Sequence, residues 1–148
     1  MKLVVTVLAR DEADIIDAQV AFHLNAGADF VIATDNNSQD GTNEILRRYE
    51  RQGVLHLIHE PAEGLHQSEW VTRMARLAAT ELGADWVINT DADEFWWPRG
   101  ESLKNVLAAI VNGVAAVIFI AVADVAWAPA PVLSNDCWAP AFMRMPSM

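Results

Sequence analysis

Apolar positions along the chain alternate between two rhythms, a short continuous one and a longer helical one. Leu3-Val4-Val5-Thr6-Val7-Leu8 is nearly unbroken in hydrophobicity and rich in β-branched residues, which predicts a strand covered on both faces. The acids in Ala9-Arg10-Asp11-Glu12-Ala13-Asp14 favour a helix N-terminus. Ile16, Val20 and Leu24, joined by Ile15, Phe22 and Ala26, predict the buried stripe of that helix, and Gly27 closes it. Phe30-Val31-Ile32-Ala33 predicts a second strand ending at Asp35. A helix built on Ile45, Leu46 and Tyr49 follows and stops at Gly53. Val54-Leu55-His56-Leu57-Ile58 reads as a third strand. Pro61 and Gly64 then break the chain before a helix over about 68–82, with Trp70, Met74, Leu77 and Ala78 inward and Gly83 at its end. A fourth strand runs from Trp86 to Asn89, with a helix over 103–111 and a fifth strand over 114–123 after it. Such alternation predicts an α/β fold: a mostly parallel sheet with right-handed crossovers and helices on both faces. Beyond residue 123 the periodicity fades. Residues 1–123 therefore read as one core and 124–148 as an irregular tail, the start of an incomplete region.

In an open parallel sheet, ligands bind outside the carboxyl ends of the strands. Three polar clusters fall at those ends: Arg10-Asp11-Glu12, then Asp35-Asn36-Asn37-Ser38-Gln39-Asp40-Gly41-Thr42, then Asp91-Ala92-Asp93-Glu94. Their convergence on one rim predicts a site. If the last cluster is extended, residues two apart point the same way, so Asp91 and Asp93 aim at one point. Two carboxylates so placed repel each other unless a cation lies between them. Hard oxygen ligands suit Mg²⁺ or Mn²⁺, ions that keep waters and share themselves with a phosphate.

At these residues the chain resembles family 2 glycosyltransferases. Asp35-Asn36-Asn37-Ser38-Gln39-Asp40-Gly41-Thr42 is similar to their nucleotide-binding loop, and Asp91-Ala92-Asp93-Glu94-Phe95 to their metal-binding Asp-x-Asp. The resemblance spans residues 3–98 and is nearest to the branch with Asp-Asn-x-Ser and a following Glu-Phe. It implies a GT-A fold, a nucleoside-diphosphate sugar donor (a UDP-sugar first), a divalent cation, and transfer with inversion to a saccharide, lipid or protein acceptor. Position by position it implies that Asp35 and Asn36 hold the base and ribose end. It also implies that Asp91 contacts the ribose or the ion, and that Asp93 ligates the ion. Arg10 and Glu12 would line the nucleotide pocket, and Arg73, one helical turn in, would reach a phosphate. Asn36 stands where an aspartate is commoner.

The totals narrow the classes. With 148 residues, 53% of them hydrophobic, the chain has length for one domain with a real core. Twenty acids against ten bases give a net charge of −10, with no basic footprint for nucleic acid or anionic lipid. A lone cysteine, Cys137, excludes an intrachain disulfide and zinc-type spacing, and the simplest compartment is the reducing cytoplasm. Lys2 before the apolar run makes a poor leader, since Arg10, Asp11 and Glu12 follow at once. The longest apolar run, 114–123, is half the roughly 20 residues of a membrane span.

Blander readings apply elsewhere. Asp35 to Gly41 is out of EF-hand register, with Leu46 in the twelfth position. Asn36-Asn37-Ser38 is a formal glycosylation sequon with no meaning inside a pocket. Glu94 reads as a second ligand or a structural residue in equal measure. His56 and His59 read as packing or surface residues without partners, and His66 has a modest claim to face the donor. Phe95, Trp96 and Trp97 read as a buried aromatic plug before a sugar-stacking surface. A nucleotidyltransferase needs a Gly-rich loop after the first strand, which Leu8-Ala9-Arg10-Asp11-Glu12 lacks, and a haloacid-dehalogenase phosphatase carries its Asp-x-Asp after the first strand. After Glu101 the acids are Asp124 and Asp136, neither in a recognised motif, so no general base is assigned. The remaining alternative is a truncated, non-catalytic donor-binding or interaction module, with a second copy of the chain covering exposed core.

Overall fold

The computed structural model describes residues 1–61, 66–98 and 102–109. The predicted fifth strand, the end of the helix before it, the tail with Asp124, Asp136 and Cys137, and Gly64 lie outside the described residues. Four strands and four helices alternate: β1 (Leu3–Ala9), α1 (Ile16–Asn25), β2 (Phe30–Asp35), α2 (Thr42–Arg51), β3 (Leu55–His59), α3 (Gln67–Thr80), β4 (Trp86–Asp91) and α4 (Leu103–Ala109). All pairings are parallel and the order is β3-β2-β1-β4.

Period-two alternation along β1 divides the core. Leu3, Val5, Val7 and Ala9 pack on one face with Ile16 and Val20 of α1, Leu46 of α2 and Leu103 and Leu107 of α4. Val4 points the other way, joining Ile32, Val87 and the α3 residues Val71, Met74, Ala75 and Ala78. Helices thus cover both faces, as the continuous apolar run of β1 requires. The buried stripe of α1 differs from the expected one. Ile16, Gln19, Val20 and His23 are buried, whereas Phe22 is only half-buried. His23 belongs to the stripe because the chain after β4 comes back across this helix, where Trp96 N–H donates to it.

Gly27 ends α1 in the left-handed region at φ 111°, where a side chain would also press on Ser102 Cβ at 3.2 Å. That close approach lets α4 dock, with Leu103 N–H donating to Ala26 O at 2.7 Å. Among the described residues no helix is long and apolar enough to cross a membrane.

Leu46 is fully buried between α2 and the sheet. Its truncation, Leu46→Ala, should cost about 2–5 kcal/mol in chemical denaturation. A variant as stable as the parent would mean that α2 is not packed on this core.

Candidate active site at the β1–β4 switch point

The strand order reverses beside β1: β2 and β3 build outwards from one edge, and β4 returns to the other. A parallel sheet opens its ligand crevice at such a point, outside the carboxyl ends of the strands. Two of the three polar clusters, those after β1 and β4, flank it directly, and the third follows β2.

The loop after β1 is stitched to the loop after β2 by side chains accepting from backbone. Asp11 N–H donates to Ser38 Oγ (2.9 Å), Glu12 N–H to Thr42 Oγ1 (2.8 Å), Ala13 N–H to Asp40 Oδ2 (2.9 Å), and Gln39 N–H to Asp11 Oδ1 (2.7 Å). Asp11 and Asn37 both hold positive φ, 54° and 55°, a conformation that Asp and Asn tolerate best among residues with a Cβ. Asp40 also accepts from Thr42 N–H and Oγ1–H, which ties down the first turn of α2. Donation from Ala13 N–H, then from Thr42, holds the Asp40 carboxyl below its ordinary range.

Asp35 is buried, with Oδ1 accepting from Ser38 N–H at 3.2 Å and Oδ2 from Asn43 Nδ2 at 2.6 Å. His59 Nδ1 lies 3.6 Å from the same Oδ2, so the expectation that His59 has no partner is corrected. Asn36 bridges two clusters. Arg10 Nη1 approaches its Oδ1 at 3.4 Å, and its Nδ2 donates to Glu60 O at 3.2 Å. Arg73 sits in the second turn of α3, and its guanidinium pairs with Glu60 Oε2 at 3.0 Å. Glu60, His66, Glu69, Trp70 and Arg73 line a cavity of about 400 Å³ beside the β3 end. A wider groove of about 560 Å³ runs down α3 from Ser68 to Glu81 and contains no residue of the β1, β2 or β4 loops.

At the β4 end, the Asp-x-Asp does not continue the extended strand but forms a turn. The strand stops at Asp91, and Glu94 N–H donates back to Asp91 O at 3.1 Å. Asp91 N–H donates to Glu94 Oε2 (3.2 Å), and Thr90 Oγ1 donates to Glu94 O (3.0 Å). Ala92 is buried while Asp93 projects to solvent. Glu94 therefore helps to close the turn. The Glu12 carboxyl is pushed above its usual range, first by burial, then by the charges of Asp14, Asp93, Asp40 and Asp11. The β1 and β4 loops thus sit within each other's field. Among the described residues no three or more His, Cys, Asp or Glu side chains gather closely enough to hold a metal by themselves.

The sequence profile of glycosyltransferase family 92 matches residues 5–127. The chain belongs to glycosyltransferase family 92. The loops resemble family 2, whereas the matching profile is that of family 92; the assignment to glycosyltransferases is common to both. Among solved structures, S. aureus TarS 1–349 aligns with a TM-score of 0.53 at 19% identity, covering 73% of this chain and 32% of that one. The same TarS segment in complex with UDP aligns with a TM-score of 0.53 at 21% identity, covering 73% and 31%. At such identity the shared property is the fold, and this chain spans about a third of those structures' length. No curated protein matches the sequence.

Sequence reasoning missed His23. It is buried on α1, with Nδ1 2.9 Å from Gln19 O and Nε2 accepting from Trp96 N–H at 3.3 Å. Its neighbours include Phe22 (edge-on, 5.3 Å) and Phe95 (stacked, 6.3 Å). The expected aromatic plug is only partly one: Trp96 is buried, Phe95 half-buried, and Trp97 51% exposed. A helix position three beyond Val20 that is polar but flanked by apolar residues was the available signal.

Burial lowers the His23 pKa from 6.5 to about 4, against the opposing hydrogen bond to Gln19. The unfolded chain takes up that proton near 6.5, so the stability gained from a neutral His23 is complete above 6.5 and is lost as pH falls towards 4. Chemical denaturation across that window should show a loss of roughly 3 kcal/mol at most. In His23→Phe the decline in that window should flatten. Asp40, held low, contributes only further down, below the ordinary 3.8. An unchanged slope in His23→Phe would exclude His23 as its source.

Proposed function

We propose that this chain is the donor-binding part of a glycosyltransferase that holds a nucleoside-diphosphate sugar, a UDP-sugar first, and transfers the sugar with inversion to a saccharide, lipid or protein acceptor. The observation that carries it is the meeting of two carboxylate loops at the β1–β4 switch point, read in Glu12, whose carboxyl is unsettled by Asp93 from the other loop. Membership of family 92 and the TarS structure with UDP support the same reading.

The residues fit a hard divalent cation. Mg²⁺ and Mn²⁺ take oxygen ligands, keep several waters and need only one or two carboxylates beside a phosphate. Asp91 and Asp93 would hold it, and the charge crowding at Glu12 is relieved by a cation there. A bound Mn²⁺ or Mg²⁺ supplies charge neutralisation to the diphosphate leaving group. This chain's residues do the rest. Arg10 and Asn36, already in contact, lie between the carboxylate rim and the β3 end, where the base and ribose end belong. Asp35 holds the shape of that loop from beneath, since its carboxylate is buried and engaged. Arg73 would leave Glu60 to reach a phosphate, or stay paired and form a wall of the cavity. Residues 1–123 make the donor core and 124–148 begin the acceptor side.

Calorimetric titration with UDP and GDP, first with Mn²⁺ and then with EDTA, tests the donor site. Metal-dependent binding of UDP is expected, and no binding of either nucleotide would sink the reading. Asp93→Ala should abolish the metal-dependent part and leave the fold intact by circular dichroism. If that variant binds UDP as tightly as the parent, the ion is held elsewhere. Glu12→Gln should raise the apo protein's melting temperature at pH 7. The raised carboxyl makes the charged form a cost in the folded state, so this gain shrinks as pH falls through the pKa of Glu12. A variant no more stable than the parent at pH 7 would show that the rim carries no such repulsion.

A further inference from the structure

The acidic turn is anchored by its ends. Upstream it is part of β4. Downstream, Trp96 stands three residues after Asp93, and its backbone N–H donates to His23 Nε2 at 3.3 Å. The other ring nitrogen, Nδ1, faces Gln19 O at 2.9 Å. A carbonyl only accepts and a backbone N–H only donates, so both contacts are satisfied together by one species alone, the neutral ring protonated at Nδ1. Either other state leaves a buried polar group facing its own kind. The ring has little room to turn, since Phe22 meets it edge-on and Phe95 lies stacked beside it, while Phe22 and Phe95 also meet at 5.2 Å.

We propose that His23 is a positioning residue for the metal side of the site: its Nε2 fixes the backbone at Trp96 and so holds the turn that presents Asp91 and Asp93. The arrangement matches a general rule for metal sites, in which groups one step removed orient the ligands and their loss typically lowers affinity or activity 10–100-fold. His23 acts through the main chain at Trp96. For its metal consequence the inference rests on the donor-site reading; for the turn it stands on geometry alone.

The test compares the full-length parent with His23→Phe, His23→Gln and Leu46→Ala by amide hydrogen exchange and by the Mn²⁺ concentration that half-saturates UDP binding. His23→Phe keeps a ring without the acceptor, His23→Gln restores a neutral acceptor, and Leu46→Ala is a core variant on α2, outside the turn. Exchange over 91–97 should accelerate at least about tenfold in His23→Phe beyond its change in Leu46→Ala, and the Mn²⁺ requirement should rise 10–100-fold. His23→Gln should recover most of both. Protection over 91–97 equal to the parent's, or a failure of His23→Gln to recover what His23→Phe loses, overturns the proposal. If His23→Phe does not fold, imidazole ¹⁵N spectra of the parent decide: a ring protonated at Nε2 cannot accept from Trp96 and overturns it. A parent that binds neither Mn²⁺ nor UDP, with the exchange results as expected, overturns the donor site and leaves the anchoring of the turn supported.

Discussion

Parallel pairing of β1 on both of its edges is the constraint from which the rim follows. In register, Ala9 lies opposite Asp35 on one side and Leu8 opposite Asp91 on the other, so three strand ends stop at one level. Burial of both faces of β1 leaves no freedom to slip, because a shift of one residue would exchange the α1 and α3 cores. The polar pair Thr6 Oγ1 to Asn89 Oδ1, buried at 2.9 Å, adds a second lock on the β1–β4 register. Chemistry at the carboxyl ends is therefore positioned by hydrophobic alternation several residues away.

Above that platform, most of the polar loop after β2 is architecture. Asp35, Ser38, Asp40 and Thr42 satisfy backbone donors or one another, and together they weld the β1 loop to α2. The two loops each carry one positive-φ residue with a side chain, Asp11 and Asn37, and such bonds offset their strain. The sequence pattern Asp-x-x-Ser-x-Asp-Gly-Thr is thus a recipe for a rigid rim.

Much of this was legible beforehand for a simple reason: strand and helix rhythms depend on burial, and burial here is regular. The four described strands, the end of α1 at Gly27 and the polar clusters at strand ends all follow from local pattern. His23 did not, because a buried histidine requires a partner distant in sequence, and Trp96 is 73 residues away. Whether the stretch after Asp91 stays extended is hidden from local pattern for a related reason. Its closure depends on Glu94 folding back onto the Asp91 N–H, a choice made by hydrogen bonding and invisible to hydrophobic period. His59 belongs to the same class, since its partner Asp35 comes from the adjacent strand.

Net charge alone would make the whole rim look equally attractive to a cation, yet its acids divide into two kinds. Asp11, Asp35 and Asp40 each accept from backbone N–H groups, and for Asp40 this donation holds the carboxyl below its ordinary range. Glu12 has the opposite balance: burial and four like charges raise its carboxyl, so the folded protein carries an unrelieved repulsion there. A cation lowers the free energy most where the protein's own donors do the least. On the proposed reading, the strongest pull on a cation would lie beside Glu12 and Asp93, between the β1 and β4 loops. The same asymmetry explains how an acid-rich surface could accept a diphosphate. On that reading an ion beside Glu12 and Asp93 would stand between the unrelieved charge and the ligand.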